Sequence, residues 1–70
     1  MAVARITEIS STSPNGFEDA IRQGLDRATS TLRQVQSAWV KEQRVNLDGN
    51  GNIVEYQVNM LITFLLEDTV

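Results

Sequence analysis

From Ile53 to Glu67 the chain alternates without a break. Val54, Tyr56, Val58, Met60, Ile62, Phe64 and Leu66 fall on one side, and Glu55, Gln57, Asn59, Leu61, Thr63, Leu65 and Glu67 on the other. A period of two sustained this long specifies a strand with one buried face. At ~3.3 Å per residue it reaches ~50 Å. The whole chain has 70 residues, and a compact globule of that size has a radius of gyration of ~11 Å and a diameter near ~30 Å. The strand therefore overhangs its own domain. Leu61 and Leu65, on the otherwise polar side, agree with surfaces that neighbouring subunits cover.

The remaining elements follow from changes of period. Residues 3 to 10, Val-Ala-Arg-Ile-Thr-Glu-Ile-Ser, read as a short strand that runs into the loop Ser-Thr-Ser-Pro-Asn-Gly. Phe17, Ala20, Ile21, Leu25, Ala28, Leu32 and Val35 recur at spacings of three and four, which predicts an amphipathic helix over 17 to 36. Ser13 or Asn15 can cap it, Pro14 suits its first turn, and Glu18 and Asp19 complement its dipole. Trp39 to Leu47 returns to strand character, and Asp48-Gly-Asn-Gly-Asn52 is a hairpin turn. The expected fold is α+β. Its order is β-α-β-β, a three-stranded antiparallel sheet packed on one helix, forming a single domain over residues 1–70.

Composition decides how such a domain is held together. One core of this size rarely supplies more than ~3–5 kcal/mol, so small domains recruit disulfides, a structural metal or self-association. Cys and His are both absent, which removes the first and the common zinc, iron and haem ligand sets. Oligomerisation is what remains. Six basic against nine acidic residues give a net charge of −3, the wrong sign for neutralising phosphates, which argues against nucleic acid. No apolar run approaches the ~20 residues of a membrane helix. The N-terminus lacks the layout of a signal peptide, so a cytoplasmic location is expected.

Catalysis finds few groups to work with. Without His or Cys, a base or nucleophile would have to come from Ser, Thr, Lys or a carboxylate, and the pairs Glu18/Asp19 and Glu67/Asp68 sit where solvated charges normally sit. An enzyme is not expected. The turn from Asn46 to Ile53 places oxygen side chains at alternate positions like a calcium loop, but position twelve would be Gln57 and the flanks are strands, so a plain hairpin is expected. Trp39, the only Trp, should lie on the face away from the helix together with Lys41 and Gln43, because Ala38 and Val40 point inward. A large aromatic there either fills a subunit interface or offers a planar ligand a surface to stack on. Gln57 lies on the same outward face, with an amide that both donates and accepts.

Arg5-Ile-Thr-Glu-Ile9, Ser11-Thr-Ser-Pro14, Phe17-Glu-Asp-Ala20, Arg27-Ala28, Thr31-Leu-Arg33, Val40-Lys-Glu-Gln43, Glu55-Tyr-Gln-Val58 and Phe64-Leu-Leu-Glu-Asp68 together resemble the dodecins, over about residues 3 to 68. These are small flavin-binding proteins that assemble as hollow homododecamers, with flavins bound in pairs where subunits meet. The resemblance implies storage or sequestration of a flavin (FMN, riboflavin or FAD) without turnover. It implies cofactor-binding roles for Gln57, at the polar edge of the isoalloxazine, for Arg44, near the flavin tail, and for Arg5, on the first strand. The family's stacking tryptophan corresponds to Ser37. This chain has its Trp at 39, two residues later, on the same face and displaced by ~6.6 Å. Some members bind coenzyme A, but Leu65 stands where those carry an arginine, and no such site is expected here.

Two readings stand at this point. In one, the homododecamer binds flavin at its subunit interfaces by stacking on Trp39 and hydrogen bonding from Gln57. In the other, the same cage has a degenerate site, Trp39 packs against its symmetry mate, and no flavin binds.

Overall fold

A computed structural model describes residues 3–66. Strand β1 (Ala4–Ser13) leads to helix α1 (Phe17–Thr31), then to β2 (Val35–Leu47) and β3 (Ile53–Leu65). Both outer strands pair antiparallel with β3, giving the sheet order β1-β3-β2. The longest alternating segment thus takes the centre, where a neighbour on each side satisfies its backbone groups. Glu67 and Asp68 lie outside the described residues.

The alternation of β3 sorts the two faces of the sheet. Val58, Met60 and Ile62 are fully buried under α1, with Ser11, Ile9 and Thr7 of β1 opposite them on one side. Ala38 and Val40 of β2 lie opposite Ile62 and Met60 on the other. From the helix the buried residues are Ala20, Gly24 and Ala28, one per turn along one stripe. They are small for a reason. A Cβ on Gly24 would lie 2.7 Å from Met60 Cε and 3.0 Å from Ser11 Cβ, so the missing side chain is what lets the helix settle onto the sheet.

The helix begins at Phe17 as expected, but its far end and its cap differ from the sequence expectation. The helix stops at Thr31 instead of continuing to 36, and Leu32 is already extended. Thr29, Ser30 and Thr31 each donate a hydroxyl to a helix carbonyl, of Leu25 and Asp26, of Arg27 and of Ala28 respectively, which competes with continuation of the helix. Leu32 and Val35 kept helical spacing in sequence while packing from outside the helix. At the start, Gly16 occupies the cap position without a side-chain cap. Ser13, buried at the end of β1, instead donates its hydroxyl to Asp19 Oδ2 and accepts the Asn15 N–H at 3.0 Å. Strand and helix are thereby tied through the Asp19 carboxylate, which Gln23 Nε2 also donates to at 2.6 Å.

Strand β2 carries a bulge between Val40 and Glu42. Lys41 is the extra residue, and beyond it the alternation inverts. Gln43 and Val45 face the helix side opposite Val58 and Tyr56, while Glu42, Arg44 and Asn46 face outward opposite Asn59, Gln57 and Glu55. The expected outward position of Gln43 is corrected accordingly. In the hairpin, Asp48 Oδ1 accepts the N–H of Asn50 at 2.8 Å and of Asn52 at 3.0 Å, and Gly51 has φ 84°. The carboxylate is spent on its own turn.

The molecule is elongated. It measures 58 × 19 × 14 Å with a radius of gyration of 14.7 Å, against ~11 Å for a compact chain of this length. Helix α1, with 15 residues, is ~22 Å long and covers less than half of the long axis. Val45, Leu47, Ile53 and Val54 at the hairpin end are left exposed, as are Ile6 and Leu66 toward the other. No helix among the described residues is long and apolar enough to cross a membrane.

Candidate functional site

The face of the sheet away from α1 divides into an apolar and a polar half. In the apolar half, Trp39 sits opposite Leu61 and Ser37 opposite Thr63 on the β2 side, while Glu8 and Ile6 take those places on the β1 side. Trp39 is 66% exposed. An indole so open, beside half-buried Leu61, presents an apolar surface that one copy of the chain leaves unfilled. An ion pair between Lys41 Nζ and Glu8 Oε1 at 3.6 Å spans β3 beside Leu61. Both side chains are about half exposed, so the pair adds little stability.

The polar half begins at Asn59. Gln57 lies between Thr12 and Arg44, and Asn59 between Ser10 and Glu42. Gln57 Nε2 donates to Asn59 Oδ1 at 3.3 Å, and Asn59 Nδ2 donates to Glu42 Oε1 at 3.2 Å. Farther along, Asn46 Nδ2 donates to Glu55 Oε1 at 3.1 Å. The Lys41 bulge creates this neighbourhood, because without it Arg44 would lie on the helix side.

Of the residues singled out from sequence, the chain brings Trp39, Gln57 and Arg44 onto one face. Arg44 is directly across from Gln57. Trp39, level with Leu61, stands four residues away along β3, or ~13 Å. Arg5 is not part of the group. It lies opposite Phe64, on the helix side of the sheet and seven residues along β3 from Gln57, or ~23 Å. Asn59 and Glu42 were not singled out. The alternation of β3 placed Asn59 beside Gln57 in plain view, whereas Glu42 reaches this face only through the bulge.

Two carboxyls titrate away from their ordinary range, and neither belongs to this face. Asp19 is held below the usual aspartate value first by the Ser13 hydroxyl and then by the Gln23 amide. Asp48 is lowered mainly by the backbone N–H groups of Asn52 and Asn50. Among the described residues no group of three or more His, Cys, Asp or Glu is placed to hold a metal ion. A groove of about 570 Å³ runs between α1 and the β1 edge, with Thr7, Ser11, Gln23 and Arg27 around a floor of Gly24 and Ala28. It belongs to the seam between helix and sheet and contains no aromatic ring, so it does not displace the outer face as the candidate site.

The sequence matches the family model described as Dodecin over residues 3–67. It is 40% identical over 67 residues to the dodecin of Thermus thermophilus, covering 96% of each chain. It is 30% identical over 64 residues to the calcium dodecin of Mycobacterium tuberculosis, covering 91% of this chain and 89% of that one. The fold superposes on the dodecin of Streptomyces davaonensis with a TM-score of 0.89 at 39% identity, covering 96% of this chain and 97% of that one. For the dodecin of Streptomyces coelicolor the TM-score is 0.89 at 32% identity, with 97% and 96% covered. Sequence, strand order and overall shape agree, and the chain belongs to the dodecin family.

Proposed function

We propose that this protein binds and stores a flavin, FMN or riboflavin in type, at the interfaces of a homododecamer in the cytoplasm. The observation that carries the reading is the open indole of Trp39 on the same sheet face as the Gln57 amide. A flavin has a wide apolar ring system and a polar pyrimidine edge, so its site needs a π-face and a group that both donates and accepts. Trp39 supplies the first and Gln57 the second. Arg44, directly across from Gln57, places a cation where a phosphate-bearing tail can meet it. Arg5 can join them only from another copy. Stacking against an indole quenches and shields the flavin, and the face offers no group suited to turning it over. Assembly is supported by the 58 Å length of the molecule and by the apolar side chains left open at both ends.

The rival reading is a cage with a degenerate site. It draws on the position of the tryptophan, at 39 where the resemblance puts it at Ser37, and on the relative named for calcium. A fluorescence titration of riboflavin or FMN decides between them. Wild-type protein should quench the flavin, and Trp39→Ala should weaken binding by about tenfold or more, since stacking on an aromatic is worth ~1–3 kcal/mol per ring. Gln57→Ala should remove ~0.5–1.5 kcal/mol. Failure of the wild type to quench at ~10 µM protein would replace the storage reading by the empty cage. Equal quenching by Trp39→Ala would move the flavin elsewhere.

A further inference from the structure

A carboxamide is nearly symmetric in shape but not in chemistry. Turning it over exchanges an acceptor for a donor without changing the space it fills, so only its hydrogen-bond partners decide which end faces a ligand. On the outer face those partners form a chain with a fixed direction. Glu42 ends it with a carboxylate, which accepts and cannot donate. Asn59 therefore gives its Nδ2 to Glu42 Oε1, at 3.2 Å. That leaves Asn59 Oδ1 toward Gln57, where only an N–H can meet it, and Gln57 Nε2 does so at 3.3 Å. One charge thus orients two amides in succession.

We infer that Glu42 and Asn59 are positioning residues that set the hydrogen-bonding polarity of Gln57, and through it the selectivity of the site for a ligand carrying an imide N–H. The inference rests on the flavin-binding reading above. With one N–H of Gln57 committed to Asn59, its Oε1 and its second N–H are what remain for a ligand. The pyrimidine edge of an isoalloxazine is an imide, an N–H between two carbonyls, and this pair complements it: Oε1 accepts the imide proton while the N–H donates to the adjacent carbonyl. Reversed, the amide would turn its oxygen to the neighbouring strand residue and both N–H groups outward, and the imide proton would have no acceptor. The bulge at Lys41 is essential to the device, because it brings Glu42 to the level of Asn59 on this face.

The test compares riboflavin with 3-methylriboflavin, in which the imide N–H is replaced by N–CH3, by fluorescence titration of the assembled protein. Asn59→Val removes the acceptor that holds Gln57. Glu42→Lys, at an exposed position, supplies a donor in place of an acceptor and should reverse both amides. Each variant should bind riboflavin roughly threefold to tenfold more weakly while its affinity for the methylated ring changes by less than about twofold, so that the preference for the N–H form shrinks. Any steric penalty of the methyl group is common to all the proteins and cancels in that ratio. Equal weakening for both ligands would mean a structural role only, and unchanged affinities no role; either overturns the inference while flavin binding stands. If Asn59→Val fails to assemble, Glu42→Lys decides. If the wild type binds neither ring, the flavin-binding reading itself falls, and the inference with it.

Discussion

Replacing Gly24 by alanine sets two effects of opposite sign against each other. In an exposed helix interior the change is favourable by ~0.5–1 kcal/mol, because glycine loses more backbone freedom on folding. Here the new methyl would stand 2.7 Å from Met60 Cε and 3.0 Å from Ser11 Cβ. Met60 is fully buried in the core, so its flexible tip can yield only by repacking against its neighbours, and Ser11 Cβ is fixed to a strand backbone. The helix must lift or Met60 must leave its rotamer, and overpacking of this kind typically costs ~1–3 kcal/mol. The clash should win, with a net loss of ~0.5–2 kcal/mol. Urea titrations followed by Trp39 fluorescence would measure it, at one protein concentration because association contributes to apparent stability. Gly49→Ala is the control: nothing lies within 4 Å of its added carbon, so it should unfold at the wild-type midpoint or slightly above. Gly24→Ala as stable as Gly49→Ala would show that helix and sheet are not in close contact at Gly24.

Other perturbations follow from single features. Because Asp19 titrates below its ordinary value of 3.8, it stabilises the fold above that pH and the contribution disappears as the pH falls through its lower folded value; Asp19→Asn should therefore flatten the loss of stability between about pH 5 and about pH 3, and an acid limb as steep as the wild type's would remove the Ser13–Asp19 link from the account. Since Asp48 Oδ1 is occupied by the N–H groups of Asn50 and Asn52, calcium should leave the melting temperature unchanged, and a rise reversed by EDTA would show a site that the turn conceals. Light scattering should find a particle much larger than a dimer at micromolar protein; a mass of 7.8 kDa would refute the argument from strand overhang.

What could be read in advance divides along a physical line. The alternation of residues 53 to 67 is enforced by the core on every second position, so it survives in sequence as a plain pattern. It gave the third strand, the two faces of the sheet and the overhang that the 58 Å length now expresses. The end of the helix was illegible because Leu32 and Val35 pack on the same core from extended backbone, and spacing alone does not distinguish a helical residue from one that follows the helix. Gly24 was passed over for the opposite reason: a hydrophobic pattern registers side chains that fill space, and this contact depends on one that is missing.

The outer face was half legible, and the bulge at Lys41 explains which half. Trp39 precedes it, so counting from Ala38 and Val40 put the indole on the correct side. Every residue beyond it is inverted relative to that count, which sent Gln43 outward in expectation and inward in fact. The same inversion turns Glu42 and Arg44 to the level of Asn59 and Gln57. Nothing in Val40-Lys-Glu-Gln43 announces an extra residue, since a bulge is fixed by what both strands require on either side of it rather than by the residue inserted. The polar half of the site is therefore a product of pairing with β3. Were Lys41 paired in register opposite Asn59 instead of bulged out, the stretch beyond it would keep simple alternation. Glu42 and Arg44 would turn to the helix side, and the chain would keep its stacking surface while losing the groups that give it polarity.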